Sequence, residues 1–272
     1  METRNIIENQ TFDEERALYN LKDTEVKNCT FAGEKDGESV LKETRNICVR
    51  DCAFSLRYPL WHAKKYELIN SVFDEKTRAP IWYSDEGLIE NCKLNGIKSP
   101  EFGWKCNNVT MEDTKIESEY IFLDSKNIKI KHIEFQGKYS FQYVENLEIE
   151  NCTLDTKDAF WHAKNVTVKS SIVKGEYLAW FSDGLTLINC KIIGTQPLCY
   201  CKNLKLINCT MEGCDLAFEY SEVEADIKGN VDSIKNPKSG TITVDSVGEI
   251  INEDSIMEVN GKVVIRNKDS ML

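Results

Sequence analysis

The chain has few of the residues that interrupt a fold, and it has no excess of positive charge. Of 272 residues five are proline and three are histidine, and no linker rich in Pro, Gly or Ser divides them. One domain over 1–272 is therefore expected. No apolar run approaches the roughly 18 residues that a spanning helix requires, so no membrane partner is expected. The opening Met1-Glu2-Thr3-Arg4-Asn5 has no apolar h-region. It reads as no secretory signal peptide and a cytoplasmic location. A net charge of −11 lacks the basic footprint of a nucleic-acid binder. The charges of both signs are scattered and read as a solvated surface.

What the chain does have is a period. The pairs Asp113-Thr114, His132-Ile133, Asn151-Cys152, Ser170-Ser171, Asn189-Cys190 and Asn208-Cys209 follow one another in five steps of 19 residues. Upstream the series continues less evenly through Cys92, Ser71, Cys52 and Cys29. A fixed period of this length is the signature of a solenoid. Within one repeat, Val166-Thr167-Val168-Lys169 alternates apolar and polar as a strand does. Asn tolerates the left-handed conformation of a tight corner. It recurs in one column at Asn108, Asn127, Asn146, Asn165 and Asn203, and in another at Asn70, Asn91, Asn151, Asn189 and Asn208. A third corner carries Gly96, Gly137, Gly175, Gly194 and Gly213.

Three corners and three short strands per coil predict a single-stranded, right-handed parallel β-helix of about ten coils, all-β in class. Its lumen columns read Val109, Ile128, Leu147, Val166, Leu185, Leu204, and Phe73, Leu94, Ile116, Phe135, Leu154, Val173, Ile192, Met211. Residues 1–27 read as an N-terminal cap, with a helical turn or irregular segment at Thr11–Leu21. The coils are assigned to 28–232. A C-terminal β cap is assigned to 233–272, with Thr241–Val244 and Lys262–Arg266 as strands outside the solenoid.

Eleven cysteines are present, several of them in a lumen column where a thiol is a small apolar filler. With no signal peptide they are expected to be reduced, without structural disulfides. Cys48, Cys52, Cys199 and Cys201 lack the second pair or the His that a zinc site needs, so no metal and no cofactor is expected. The sequons at Asn28, Asn151 and Asn208 are corner positions and are not read as glycan sites.

The first strand of each coil is unusual. Successive coils carry Trp61-His62, Trp82-Tyr83, Trp104-Lys105, Leu123-Asp124, Gln142-Tyr143, Trp161-His162 and Trp180-Phe181. Strand alternation predicts that the tryptophans point inward. The same rule sends outward His62, Tyr83, Lys105, Asp124, Tyr143 and His162, together with Tyr58, Tyr120, Tyr139, Tyr177 and Leu60, Ile81, Phe122, Phe141, Phe160. An exposed aromatic stripe with interleaved charges is what a saccharide groove requires. The candidate binding residues are Lys105, Tyr120, Lys138, Tyr139, Phe141, Tyr143 and His162, with Tyr120, Tyr139 and Phe141 as the stacking platform. Asp124 and Asp158 are the candidate acid and base. The alternative is a non-enzymatic scaffold whose stripe is a subunit interface in a homo-oligomer.

Five segments carry a resemblance: Tyr58-Pro-Leu-Trp-His-Ala63, Ser99-Pro-Glu-Phe-Gly-Trp104, Gly137-Lys-Tyr-Ser-Phe-Gln-Tyr143, Lys157-Asp-Ala-Phe-Trp-His162 and Gly194-Thr-Gln-Pro-Leu-Cys-Tyr200. The chain resembles an uncharacterised bacterial family, the domain of unknown function 3737, within the pectate-lyase-like β-helix superfamily. The resemblance implies the fold and no activity. The superfamily's polysaccharide enzymes show an Asp-Asp pair and Gly-His-Gly, and neither is present. Their Arg-x-Lys matches only Arg266-Asn267-Lys268, away from the stripe.

Overall fold

The computed structural model describes residues 4–33, 38–94 and 101–266. Gly96, Asn267 and Lys268 lie outside the described residues. The chain divides into two compact units, residues 1–138 and 139–272. No helix occurs among the described residues. The fold is a right-handed parallel β-solenoid of about 13 turns, against the ten read from the repeat.

Each regular coil contains one six-residue strand and one of two to four residues. In the first unit the longer strands include Lys64–Ile69, Asp85–Glu90, Asn107–Glu112 and Lys126–Lys131. They pair in parallel, with Val109 beside Gly87 and Ile128. In the second unit Leu147, Val166 and Leu185 are likewise consecutive partners. The other lumen column also forms as read, through Phe73, Leu94, Ile116 and Phe135 in the first unit. It runs through Leu154, Val173, Ile192 and Met211 in the second. Pleating explains both columns: in Lys164–Lys169 the valines are buried while Thr167 and Lys169 face away from the lumen.

The corners take the predicted conformation. Asn70, Asn91, Asn151, Asn189 and Asn208 have φ between 50° and 55°. Their side chains also bond from coil to coil. Asn91 Nδ2 donates to Asn70 Oδ1 at 2.8 Å and Asn208 Nδ2 to Asn189 Oδ1 at 2.6 Å. The residue after this corner is small and carries a hydroxyl or thiol in most coils. Ser171 Oγ accepts the backbone N–H of Cys152 at 3.0 Å and donates to Lys169 O at 2.7 Å. Ser71 Oγ does the same for Cys52 and Ile69 O. The cysteines of this column are therefore weak hydrogen-bonding groups as well as fillers: Cys52 Sγ donates to Arg50 O at 3.2 Å. All eleven cysteines are buried and free. Burial pushes the Cys52 thiol up to about 12 and the Cys92 thiol up to about 11, so both stay protonated near neutrality.

Both termini depart from the sequence reading. Asn5–Glu8 already pairs in parallel with Thr24–Lys27, and Thr11–Phe12 with Thr30–Phe31. Residues 15–20 form the turn of that coil, where Arg16 and Leu18 donate to Glu38 O and Val40 O, and they are not helical. Coil pairing thus begins well ahead of position 28. At the other end Glu222–Lys235 and Ser239–Ile251 are long strands in parallel register, and Lys262–Ile265 pairs with Thr241–Val244. These strands continue the stack with an altered period. Arg266 ties the last rungs by donating to Ile227 O at 2.7 Å and by pairing with Asp226 and Asp245.

Lumen volume is conserved locally. Tyr66, 1% exposed, occupies the space above Gly87, where an added Cβ would fall 2.2 Å from Tyr66 Cζ. Its hydroxyl is buried without a partner. Gly87→Ala is expected to lower stability by about 1–3 kcal/mol through overpacking, and Tyr66→Phe to cost nothing because it removes an unsatisfied group. Denaturant midpoints check both. Thiol titration of the denatured, unreduced protein is expected to recover all eleven groups.

Candidate ligand-binding face

Between the short strand of one coil and the long strand of the next, the chain runs through a turn that is not pleated. Asp158, Phe160 and His162 have φ of 52°, 61° and 55°, and the residues between them have negative φ. Tyr177, Ala179 and Phe181 repeat the pattern at 54°, 63° and 62°. Alternating backbone hand curls successive peptides in opposite senses, so side chains no longer alternate by two as on a strand. Among the described residues, Glu101–Trp104 and Tyr120–Leu123 form a parallel strand pair in this segment.

This geometry corrects the inward and outward assignment. Leu60, Ile81, Phe122, Phe141 and Phe160, expected outside, are each at most 1% exposed. The tryptophans expected in the lumen are half-buried and lie at the surface. Phe141 stacks on Phe160 at 5.4 Å inside the lumen and offers no face to a ligand.

In the second unit, in-register stacking builds a ladder of rings on the outside. Tyr143 and His162 lie 5.0 Å apart at 11°, His162 and Phe181 5.1 Å at 10°, and Phe181 and Tyr200 4.9 Å at 17°. Tyr220 follows, tilted, at 5.7 Å. Tyr143 is 53% and Phe181 45% exposed. Beside this ladder runs a second column, Gln142, Trp161 and Trp180, whose indoles stack at 5.6 Å and 3°. Each of its members braces the next coil. Gln142 Nε2 donates to Asp158 O at 2.9 Å, Trp161 Nε1 to Tyr177 O at 2.7 Å and Trp180 Nε1 to Gln196 O at 2.8 Å. Because neighbouring rings cover one another's faces, the ladder turns its positively polarised edges and its polar atoms outward.

Polar groups line the same face. Asp158 is 9% exposed, and burial raises its carboxyl above the ordinary range. Lys157 opposes that shift and Glu176 adds to it. Glu176 is itself held by Lys157 at 3.1 Å, and the Lys157 ammonium lies 5.7 Å from the Tyr177 ring centre. Tyr139 is half-buried and has a φ of 26°. At the far end of the ladder Glu219 and Lys235 pair at 3.0 Å, with side chains 18% and 28% exposed. Burial and then Glu219 raise the Tyr200 phenol. Glu219, Tyr200 and Tyr220 were legible in principle, since they continue the columns of Trp161 and His162. Lys235 was not, because the period changes before it.

The first unit holds Lys105, Tyr120, Asp124 and Lys138. Lys105 and Asp124 come together at 3.8 Å, each about half exposed (49% and 48%), which makes them a surface ion pair of small energetic weight. Lys105 also lies 5.7 Å from the Trp104 ring centre. Tyr120 is half-buried in its strand, and the exposed Lys138 donates its backbone N–H to Glu119 O at 3.1 Å. His62 stacks on Tyr83 at 5.1 Å and Trp61 on Trp82 at 5.8 Å. Here the indole N–H groups of Trp61 and Trp82 are buried without an acceptor. Among the described residues no three His, Cys, Asp or Glu side chains gather as a metal site.

A family model described as "Protein of unknown function (DUF3737)" matches residues 5–265. No curated protein matches the chain. Among solved structures it is similar to PfbA, a surface adhesin of Streptococcus pneumoniae, at 12% identity over 95% of this chain and 81% of that one, with a TM-score of 0.44. It is similar to the tailspike protein of E. coli bacteriophage HK620 at 10% identity over 96% and 72%, with a TM-score of 0.46. It is also similar to the catalytic domain of a GH87 alpha-1,3-glucanase at 10% identity over 97% and 64%, with a TM-score of 0.38. At these scores no residue role is carried across.

The indoles of the two units make a testable contrast. Trp161→Phe removes a satisfied hydrogen bond, whereas Trp61→Phe removes an orphaned donor. The first substitution is expected to cost about 1 kcal/mol more than the second, read from denaturant midpoints.

Proposed function

We propose that this chain, which belongs to the DUF3737 family of proteins of unknown function, is a saccharide-binding solenoid acting through the ring ladder of its second unit. The observation that carries the reading is the exposed ladder Tyr143–His162–Phe181–Tyr200 with donors and acceptors set along it. Tyr143, His162 and Tyr200 carry its polar atoms, one or two strand spacings of roughly 4.8 Å apart, intervals suited to the repeated hydroxyls of an extended sugar chain. Hydroxyls both donate and accept. The face offers both, with Lys157 and Lys235 donating, Asp158 and Glu219 accepting, and Tyr and His able to do either. An anion would leave those carboxylates opposed. The sugar meets ring edges and hydrogen-bonding groups, because the ring faces are already occupied by neighbouring rings.

Binding without catalysis is the better-supported mode. Glycoside hydrolysis needs two carboxyl groups placed about a scissile bond. Asp124 faces the Lys105 ammonium, and the Glu176 carboxylate beside Asp158 is held by Lys157. In this reading Asp158 serves as a hydrogen-bond acceptor, and Asp124 stays with Lys105 in the first unit. One observation favours a second reading. Rings whose faces are mutually covered, with Phe181 45% exposed among them, also suit a protein interface in which a second copy covers the ladder.

Titration calorimetry with neutral oligosaccharides tests both readings. His162→Phe and Tyr200→Phe keep the ladder and remove its polar atoms. Each is expected to weaken binding at least about tenfold, equivalent to about 1.4 kcal/mol, with an unchanged melting temperature. Affinity identical to the parent contradicts the site. A parent that binds no saccharide and instead dimerises with Tyr143 and Phe181 covered supports the second reading.

A further inference from the structure

The ring ladder of the second unit is bounded at one end. A ladder residue donates its backbone N–H to the carbonyl just before the next member, as His162 does to Trp180 O and Tyr200 to Glu219 O. Tyr220 donates to Asn236 O at 2.9 Å. The position after Tyr220 is therefore Pro237, which carries no aromatic ring. The last ring is also covered. Tyr220 is 7% exposed and tilts by 46° against Tyr200. Its hydroxyl accepts the backbone N–H of Ile256 at 3.2 Å. Asn236 fastens the same segment, donating its N–H to Ile251 O at 2.9 Å and Nδ2 to Glu253 O at 2.9 Å. Ile256 itself is 85% exposed. The polar edge that Tyr143, His162 and Tyr200 turn outward is thus occupied, at Tyr220, by the chain's own backbone.

We infer that this face binds the end of an extended, unbranched, neutral saccharide chain laid along the stack, with the terminal sugar at Tyr200 against the 251–256 segment. The inference rests on the saccharide reading above and adds the form of the chain and the place where it stops. From Tyr143 to Tyr200 successive rings are 4.9 to 5.1 Å apart and no more than 17° out of parallel. The face is therefore straight over three strand spacings, and only a straight chain follows it. Sugars joined through equatorial β-1,4 linkages form such ribbons, each sugar advancing by roughly one strand spacing, so about four sugars cover the four rings. α-1,4-linked chains coil away from a straight face. Hydroxyls meet Tyr143, His162 and Tyr200, which can donate or accept. Phe181 has no polar atom and meets C–H groups. In line beyond Tyr200 the next hydroxyl is already bonded and Ile256 stands beside it. The chain ends there and leaves the ladder at Tyr143.

Titration calorimetry of the full chain tests this with β-1,4-linked oligomers of glucose, xylose, mannose and N-acetylglucosamine, and with α-1,4-linked glucose oligomers for comparison. For at least one β-linked series, affinity is expected to rise at least about tenfold from disaccharide to tetrasaccharide, as further hydrogen-bonding rungs are engaged, and to be level from tetrasaccharide to hexasaccharide. The α-linked hexasaccharide is expected to bind at least about tenfold more weakly, the loss of the same contacts. The β-linked hexasaccharide is then given a bulky neutral tag at one end or the other. One tag is expected to weaken binding at least about tenfold, and the other to leave it unchanged. Equal effects of the two tags, affinity independent of length, or an α-linked chain that binds as tightly overturns the inference and leaves saccharide binding standing. A protein that binds none of these sugars overturns both.

Discussion

A solenoid closes only if the chain returns to the same column after every turn, and here that return depends on left-handed corners. An ordinary residue gives up about 1–2 kcal/mol to adopt this conformation. Asn, whose short amide can bond locally, tolerates it best after Gly. The chain places Asn at two corners of most coils and recovers part of the cost through amide bonds from coil to coil. Once the corners are fixed, the registers of the strands, the lumen columns and the Ser/Thr/Cys rungs follow. Each residue then meets the residue one repeat away. Small differences in one coil are answered in the next, as where Tyr66 fills the space that Gly87 leaves.

The functional face arises from the same device used more densely. In the turn that carries Trp161 and His162, every second residue is left-handed. That backbone sends Phe160 into the lumen and leaves the indole and imidazole outside. Repetition at one strand spacing then makes ladders of stacked side chains. The inner ladder is apolar and dry, the indole column braces the coils, and the outer ladder shows ring edges and polar atoms to solvent. Fold and candidate site are thus one construction, and the side chains proposed to bind a ligand are held by the stacking that holds the coils.

The 19-residue steps from Thr114 to Cys209, the Asn corners and both lumen columns were legible because each depends on one residue type recurring at one place. The Trp segment was misread for a definite reason. Period-two reasoning presupposes a pleated strand, and nothing in Ala159-Phe160-Trp161-His162 distinguishes a strand from a run of alternating backbone hand. Lumen-filling Phe141 and Phe160 were consequently assigned to the outside. The C-terminal end was misread because the period shifts there: Glu222–Lys235 and Ser239–Ile251 stack at steps of about 16 to 17 residues, which a fixed 19-residue comparison does not detect, whereas the first coil stands one 19-residue step before Thr24 and Thr30 and is set apart by the 23-residue step from Lys22 to Arg45. Glu219 stands three coils beyond Trp161 in the column that runs through Trp180 and Cys199, whereas its partner Lys235 belongs to the altered period.

Hydroxyl-radical footprinting read by mass spectrometry, with and without a neutral oligosaccharide, tests the central claim most directly. Tyr143, His162 and Phe181 are expected to be modified in the free protein and protected by the sugar, while Phe141 and Phe160 stay unmodified in both states. Ready modification of Phe141 or Phe160, or a bound sugar that leaves Tyr143, His162 and Phe181 unprotected, would contradict it.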